Sequence, residues 1–278
     1  MKQKPINMTD EELRKVQLTQ LELLCEVRRI CEKCNIKYSI IAGTLLGAIR
    51  HNGFIPWDDD ADIAMFRPEY EKFREACKKE LDPSQFYFQD HITTEGYRWG
   101  YGKLRRAGTE FLRNGQEHMP YEQGIFIDIF PLDNVPDSKI RKIIHDLHCT
   151  IIRKILWSAV GCKIDSSKFL RLVYSVLSKI PLVFIFNHYK KFMTKYNNRK
   201  SKWVRILTFP TPNSSRGYLR KWYANTCDHV FEGEIFKGIK DYDEYLSFKF
   251  GDWRTLPDES GRKVHPVSKL KLRENDKP

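Results

Sequence analysis

Acidic side chains are nearly missing from one long part of this chain. Between residues 134 and 221 there are 19 lysines and arginines but only three acids, Asp137, Asp146 and Asp165. Residues 1–133 carry 19 basic and 22 acidic groups, so the net charge of +12 comes from the second half. Other shortages narrow the classes open to the protein. No stretch holds about 18 uninterrupted apolar residues, so no transmembrane span is expected. The first residues, MKQKPINMTDEELRK, are polar and lead into a helical pattern instead of an apolar segment, which argues against a secretory signal. Seven cysteines at irregular spacing do not make a secreted disulfide framework. The lone C-x-x-C, Cys31 with Cys34, lacks the second pair or nearby histidine that a metal site would use. Repeats and low-complexity runs are absent. The expectation is a cytoplasmic protein with an ordinary core and two electrically different parts.

What is present organises those parts. Thr9 with Glu12 is a capping-box pattern that opens a helix running to about Cys34. KYSIIA (37–42) reads as a short buried strand, Gly43-Thr44 starts a second helix, and ADIAM (61–65) is strand-like. Pro68 suits the first turn of the next helix. Strands are expected at 85–90, 98–106, 109–113 and 124–129. After Pro136 the pattern is helical: one helix closed by Gly161, then a pair, 166–180 and 182–197, split at Pro181. In the first of that pair Phe169, Val173, Val176 and Ile180 line one face while Lys168, Arg171 and Lys179 line another. The expected fold class is α/β (α+β): a mixed sheet flanked by helices over 1–135, a basic helical part over 136–225, and a C-terminal segment over 226–278.

The stretch GTLLGAIRHNGFIPWDDDADI, residues 43–63, carries the chemistry. Four aspartates fall within positions 58–62, and unpaired they repel one another. A metal ion, an arginine cluster or water must offset that. Alternation puts Asp58, Asp60 and Asp62 on one side of an extended segment. Asp60 and Asp62 at the start of a strand suit Mg²⁺, with Mn²⁺ as a substitute, since Mg²⁺ takes one or two carboxylates and leaves room for phosphate oxygens. Asp128 is the only charge between Ile125 and Leu132 and would supply a third carboxylate from a neighbouring strand. Gly43 and Thr44 at a helix start offer free N–H groups to a phosphate, with Arg50 adding charge. An EF-hand counted from Asp58 fails, because Ile63 stands where the sharp turn requires glycine. A solvated acidic turn accounts for Asp59, and helix N-capping for one aspartate, but neither for Asp62 with Asp128.

The same stretch resembles the signature of the LicD family of phosphotransferases, which are similar to nucleotidyltransferase-fold enzymes. The resemblance continues in YGKLRRAGTEF, GIFIDIFPLDNVP and YLSFKFGDWRTLP. Departures are Ala61 in place of a larger aliphatic, FGDWRTLP in place of a tyrosine-rich version, and the single His265 in place of paired histidines. The resemblance implies a nucleotidyltransferase-like sheet and Mg²⁺-dependent transfer of an alcohol phosphate, most often phosphocholine from CDP-choline, to a hydroxyl of a cell-surface glycan or its lipid-linked precursor. Lipopolysaccharide and teichoic acid are such glycans. It further implies that Asp60 and Asp62 bind metal, with Asp58 as a further ligand. Gly43 and Thr44 then stand for the phosphate loop and Asp128 for the third carboxylate.

Lys103 and Arg105, two apart on an expected strand, could clamp phosphate oxygens or form a solvated strand face. A choline head group needs aromatic faces. Trp57 beside the acids, and Tyr97, Trp99 and Tyr101 at alternate positions, could supply them, although alternating aromatics also make a core face. The basic helices suit an interfacial position on the inner face of a membrane, an anionic acceptor, or a plain cover for the sheet. A nucleic-acid partner is not expected, for want of a stacking platform or motif. Besides phosphocholine, the transferable groups are phosphoethanolamine, glycerol phosphate and ribitol phosphate. A noncatalytic glycan- or membrane-binding relative is the remaining class.

Overall fold

A computed structural model describes residues 5–212, 215–262 and 265–273. The remaining residues of the expected C-terminal segment, 263–264 and 274–278, lie outside the described residues, as do 1–4 and 213–214. Helix α1 (Asp10–Lys33) starts at the expected capping box, where the Thr9 hydroxyl accepts from the Glu12 N–H and Glu12 accepts from the Thr9 N–H at 2.8 Å. Asn35, at φ +49°, ends it in the left-handed region. Strand β1 (Ser39–Ile40) is shorter than expected, because Ala42 already belongs to helix α2 (Ala42–His51). Next come β2 (Asp62–Phe66), α3 (Arg67–Glu80) with Pro68 in its first turn, β3 (Phe86–Gln89), β4 (Gly102–Arg106) and β5 (Glu110–Arg113). β6 (Phe126–Val135) runs well past the expected end at 129.

The second half contains α4 (Lys139–Ile164), α5 (Lys168–Leu177) and α6 (Leu182–Thr194). Gly161 does not close α4; the helix continues to Ile164, and Gly161 lets the Tyr174 ring approach where a Cβ would meet it at 2.6 Å. Then follow β7 (Trp203–Arg205), β8 (Tyr218–Leu219), α7 (Arg220–Ala224), β9 (Thr226–Phe231), β10 (Glu234–Ile239), α8 (Tyr242–Phe250) and β11 (Val267–Lys271). The mixed sheet runs β3-β4-β6-β2-β1-β10-β9, with β2 parallel to β6 and β4 antiparallel to it, and helices flank it as the sequence predicts. β5 and β11 form a separate ribbon.

β6 is the central element, and Pro131 within it is tolerated for a geometric reason. The Asp128 N–H bonds the Ala61 carbonyl, so even-numbered amides of β6 point toward β2 and odd-numbered ones away. On that far side β4 covers residues 126–129 and β7 covers 133–135, so the missing amide of Pro131 falls in the gap. Just beyond, the fully buried Asp133 accepts two bonds from Arg67, Nε at 2.9 Å and Nη2 at 2.5 Å, and one from Asn197 Nδ2 at 2.7 Å.

The main core packs α1, α2 and α3 on the sheet, and a second cluster joins α4 to α6 through Cys149, Ile152, Tyr189 and Phe192. His145 lies in that seam, stacked 4.8 Å from the Phe192 ring. Burial lowers its pKa to about 3, and Arg205 and His148 push the same way. The folded value lies below the unfolded 6.5, so the unfolded chain binds the proton more readily. This contribution is complete above pH 6.5 and declines as pH falls toward 3. Acidification from pH 7 to about 5 should therefore cost about 1–2 kcal/mol through this one group. Urea midpoints of wild type and His145→Phe at the two pH values test it: a loss equal in both proteins would assign it elsewhere.

The apolar face expected on α5 is turned outward in the structure. Tyr174 is the residue α5 buries among those described, while Phe169 is 72% and Val176 61% exposed.

Candidate active site

The register across three strands builds the site's floor. β2 begins at Asp62, and parallel pairing sets Asp128 of β6 opposite it. Antiparallel pairing of β4 then sets Lys103 opposite Asp128. Lys103 Nζ donates to Asp128 Oδ1 and sits 3.3 Å from the centroid of the Phe126 ring. Lys103 is buried, which removes the solvated-face reading for this strand. Burial lowers its pKa to about 8 against the opposing pull of Asp128. The same burial raises Asp128, and Lys103 offsets only part of that.

The acidic turn lies against this floor and is fixed from behind by α1. Gln17 Nε2 donates to the Asp58 carbonyl at 3.0 Å, and Gln20 Nε2 to that of Asp59 at 2.8 Å. Asp59 is fully buried, which overturns its reading as a solvated turn residue. Its partners are His265 Nδ1 at 2.8 Å and Arg113 Nη1 at 3.1 Å. The same two groups stand 3.5 and 3.6 Å from Asp60. Asp59, Asp60 and His265 offer ligand atoms within 4.8 Å of one another. Gly43 makes the packing possible: a Cβ there would meet Asp58 Oδ2 at 2.6 Å. Burial, then Asp60 and Asp59, push Asp58 to about 8. Burial, then Asp60 and Asp128, hold Asp62 well above the carboxylate range. Thr44 Oγ1 accepts the Asp62 N–H at 2.7 Å, so this hydroxyl positions the strand start.

Asp60, Asp62, Asp128, Lys103, Arg105, Trp99 and Tyr101 all line one cavity of about 380 Å³. Arg105 is partly occupied, donating to the Gly124 carbonyl at 2.7 Å and to Gln89 Oε1 at 2.5 Å. Asp58, Gly43 and Thr44 stand behind the lining. Two expected residues are elsewhere. Arg50 is at the C-terminal end of α2, about 12 Å along the helix from the end that faces the cavity, and donates to the Trp253 carbonyl at 2.8 Å. Trp57 turns away after Pro56, packs under Arg262 at 4.6 Å, and lines a different groove.

Sequence reasoning missed Arg113, Lys249, Trp157 and Phe209, all of which border the cavity. Lys249 is the one cation in YLSFKF, which is a signal that could have been used. Trp157 is 6.0 Å from Trp99, and Phe209 is 5.3 Å from Tyr101 and 5.0 Å from Phe130, so the carboxylates face an aromatic wall. That wall continues into an adjoining cavity of about 350 Å³. Tyr97, Trp99 and Tyr101 are all buried, but β4 begins only at Gly102, so they lie in the approach to the strand and not on it.

Comparison with known proteins identifies the family. Residues 35–148 match the family described as LicD/FKTN/FKRP, nucleotidyltransferase domain. The chain is 31% identical over 264 residues to the lipopolysaccharide cholinephosphotransferase LicD of Haemophilus influenzae, covering 92% of this chain and 96% of that protein. Shorter matches are to uncharacterised proteins of Rickettsia prowazekii, 39% identical over 23% of this chain and 26% of that one, and of Rickettsia typhi, 43% identical over 21% and 19%. With 31% identity along nearly the full length of a named member and a match of residues 35–148 to the family's nucleotidyltransferase domain, the chain belongs to the LicD family of phosphotransferases.

Proposed function

We propose that the protein transfers phosphocholine from CDP-choline to a hydroxyl of a cell-surface glycan or its lipid-linked precursor, releasing CMP, at the cytoplasmic side of a membrane. The observation that carries this reading is one cavity in which Asp60, Asp62 and Asp128 face a wall of Trp99, Tyr101, Trp157 and Phe209. The likeness to a cholinephosphotransferase supports the choice of group. Carboxylates suit a cation on a diphosphate. Aromatic faces suit a quaternary ammonium, which has no N–H to donate.

Burial and mutual repulsion raise the carboxyls of Asp58, Asp60, Asp62 and Asp128, leaving an excess of acid that a divalent cation would offset. Asp60 and Asp62 would hold Mg²⁺ or Mn²⁺, with Asp58 or Asp128 as a further ligand. The ion would neutralise charge on the donor's diphosphate. Lys103, Arg105 and Arg113 take phosphate oxygens in this reading. Asp128 accepts the proton of the attacking hydroxyl, which forms the new P–O bond as CMP departs.

The test is CMP release with Mg²⁺ and a glycan–lipid acceptor fraction, comparing CDP-choline with CDP-ethanolamine. Wild type should prefer CDP-choline, and Trp157→Ala should reduce that preference about tenfold. CMP from CDP-glycerol or CDP-ribitol instead would keep the site and replace the group. No release from any donor would leave a noncatalytic glycan binder.

A further inference from the structure

α4, α5 and α6 turn large apolar side chains outward. On α4, Ile140, Ile144, Leu147 and Ile151 are each half or more exposed, and their i, i+4, i+7, i+11 spacing puts them on one stripe. On α5, Phe169 (72%), Leu172 (64%) and Val176 (61%) are exposed, and on α6 so are Val183 and Phe184. A surface helix normally buries such a stripe. Across residues 139–194 the exposed charges are basic, among them Lys139, Arg141, Lys154, Lys168, Lys179, Lys190 and Lys191, whereas the two acids there, Asp146 and Asp165, are only half-exposed.

We infer that this face docks on an anionic phospholipid bilayer, inserting its apolar side chains between head groups to about one side chain's depth. Charge decides between occupants. A second copy would set one strongly basic surface against another, with 19 cationic groups and three acids across residues 134–221 on each side. An anionic lipid surface complements that charge. The helices lie on the bilayer and do not cross it. Among the described residues no single helix is long and apolar enough, and α5 and α6 meet at a bend of 85°. α6 is also tied to the body, where Tyr189 Oη donates to the Gly100 carbonyl at 3.1 Å. Trp157 follows Ile151 on α4 by about 9 Å along the axis, so the docked face lies close to the cavity. An acceptor held in the lipid would need only a short reach.

The test is sedimentation of the full chain with vesicles of phosphatidylcholine alone or with about 30% phosphatidylglycerol. The anionic vesicles should bind the protein, more weakly at high salt. Phe169→Gln/Leu172→Gln should bind them about tenfold or more less tightly at unchanged melting temperature. Lys168→Gln/Lys179→Gln should weaken the preference for anionic lipid by about tenfold or more. Absence of vesicle binding, or binding unaffected by the apolar double variant, would overturn the inference. So would a dimer by light scattering that the apolar variant dissociates, or bilayer association that resists alkaline carbonate. The readout is lipid binding alone and is independent of which group is transferred.

Discussion

Asp62→Asn is expected to lower CMP release by about 10³-fold and to raise the melting temperature by about 2–4 °C. The two effects share one cause. Asp62 is held well above the usual carboxylate range by burial and by the neighbouring Asp60 and Asp128, while Lys249 gives partial relief. Amide for carboxylate removes that repulsion with nearly the same shape, and it removes a charge the proposed chemistry requires. Sites that store such repulsion trade stability for activity. Mg²⁺ supplies a second readout, since a ligand that binds the folded state raises its melting temperature. That rise should be present in wild type and absent in the variant. An Asp62→Asn protein that is both active and less stable than wild type would refute the assignment.

Asp133→Ala is expected to cost about 3–5 kcal/mol, read as a shift of the urea midpoint. The reason is the charge left behind. Arg67 is almost fully buried and directs two donors at Asp133, so the variant strands a guanidinium in the interior. Replacing both, Arg67→Met with Asp133→Leu, should cost much less than the sum of the single changes, because no unpaired charge remains. Additive losses in that cycle would show that the two side chains act separately.

Local chemistry made much of the fold legible. The capping box at Thr9, proline in the first turn of α3 and the lone charge at Asp128 are each decided within a few residues, and each is where expected. What stayed hidden depends on distant partners. Asp59 looked like a solvated residue because His265, which bonds it, is 206 positions away. Arg113 and Lys249 enter the cavity from a ribbon strand and a C-terminal helix whose placement no nearby residue reports. Arg50 and Trp57 were drawn toward the site by sequence proximity, although a helix and a proline turn carry them off. The apolar stripe of α5 was legible, but not what it meets, because amphipathic spacing is the same whether a face meets a core or a different phase.

Strand β6 imposes a limit on how this chain can change length. Asp128 and Asp133 lie five residues apart on one strand, so they project to opposite faces. Asp128 must meet Lys103 and Asp62 while Asp133 meets Arg67. Inserting or deleting one residue between them would move one of the two to the wrong face. Length variation should therefore be tolerated in the connections before and after β6 and selected against within it, and a library of single-residue insertions would show a gap of folded variants from 128 to 133.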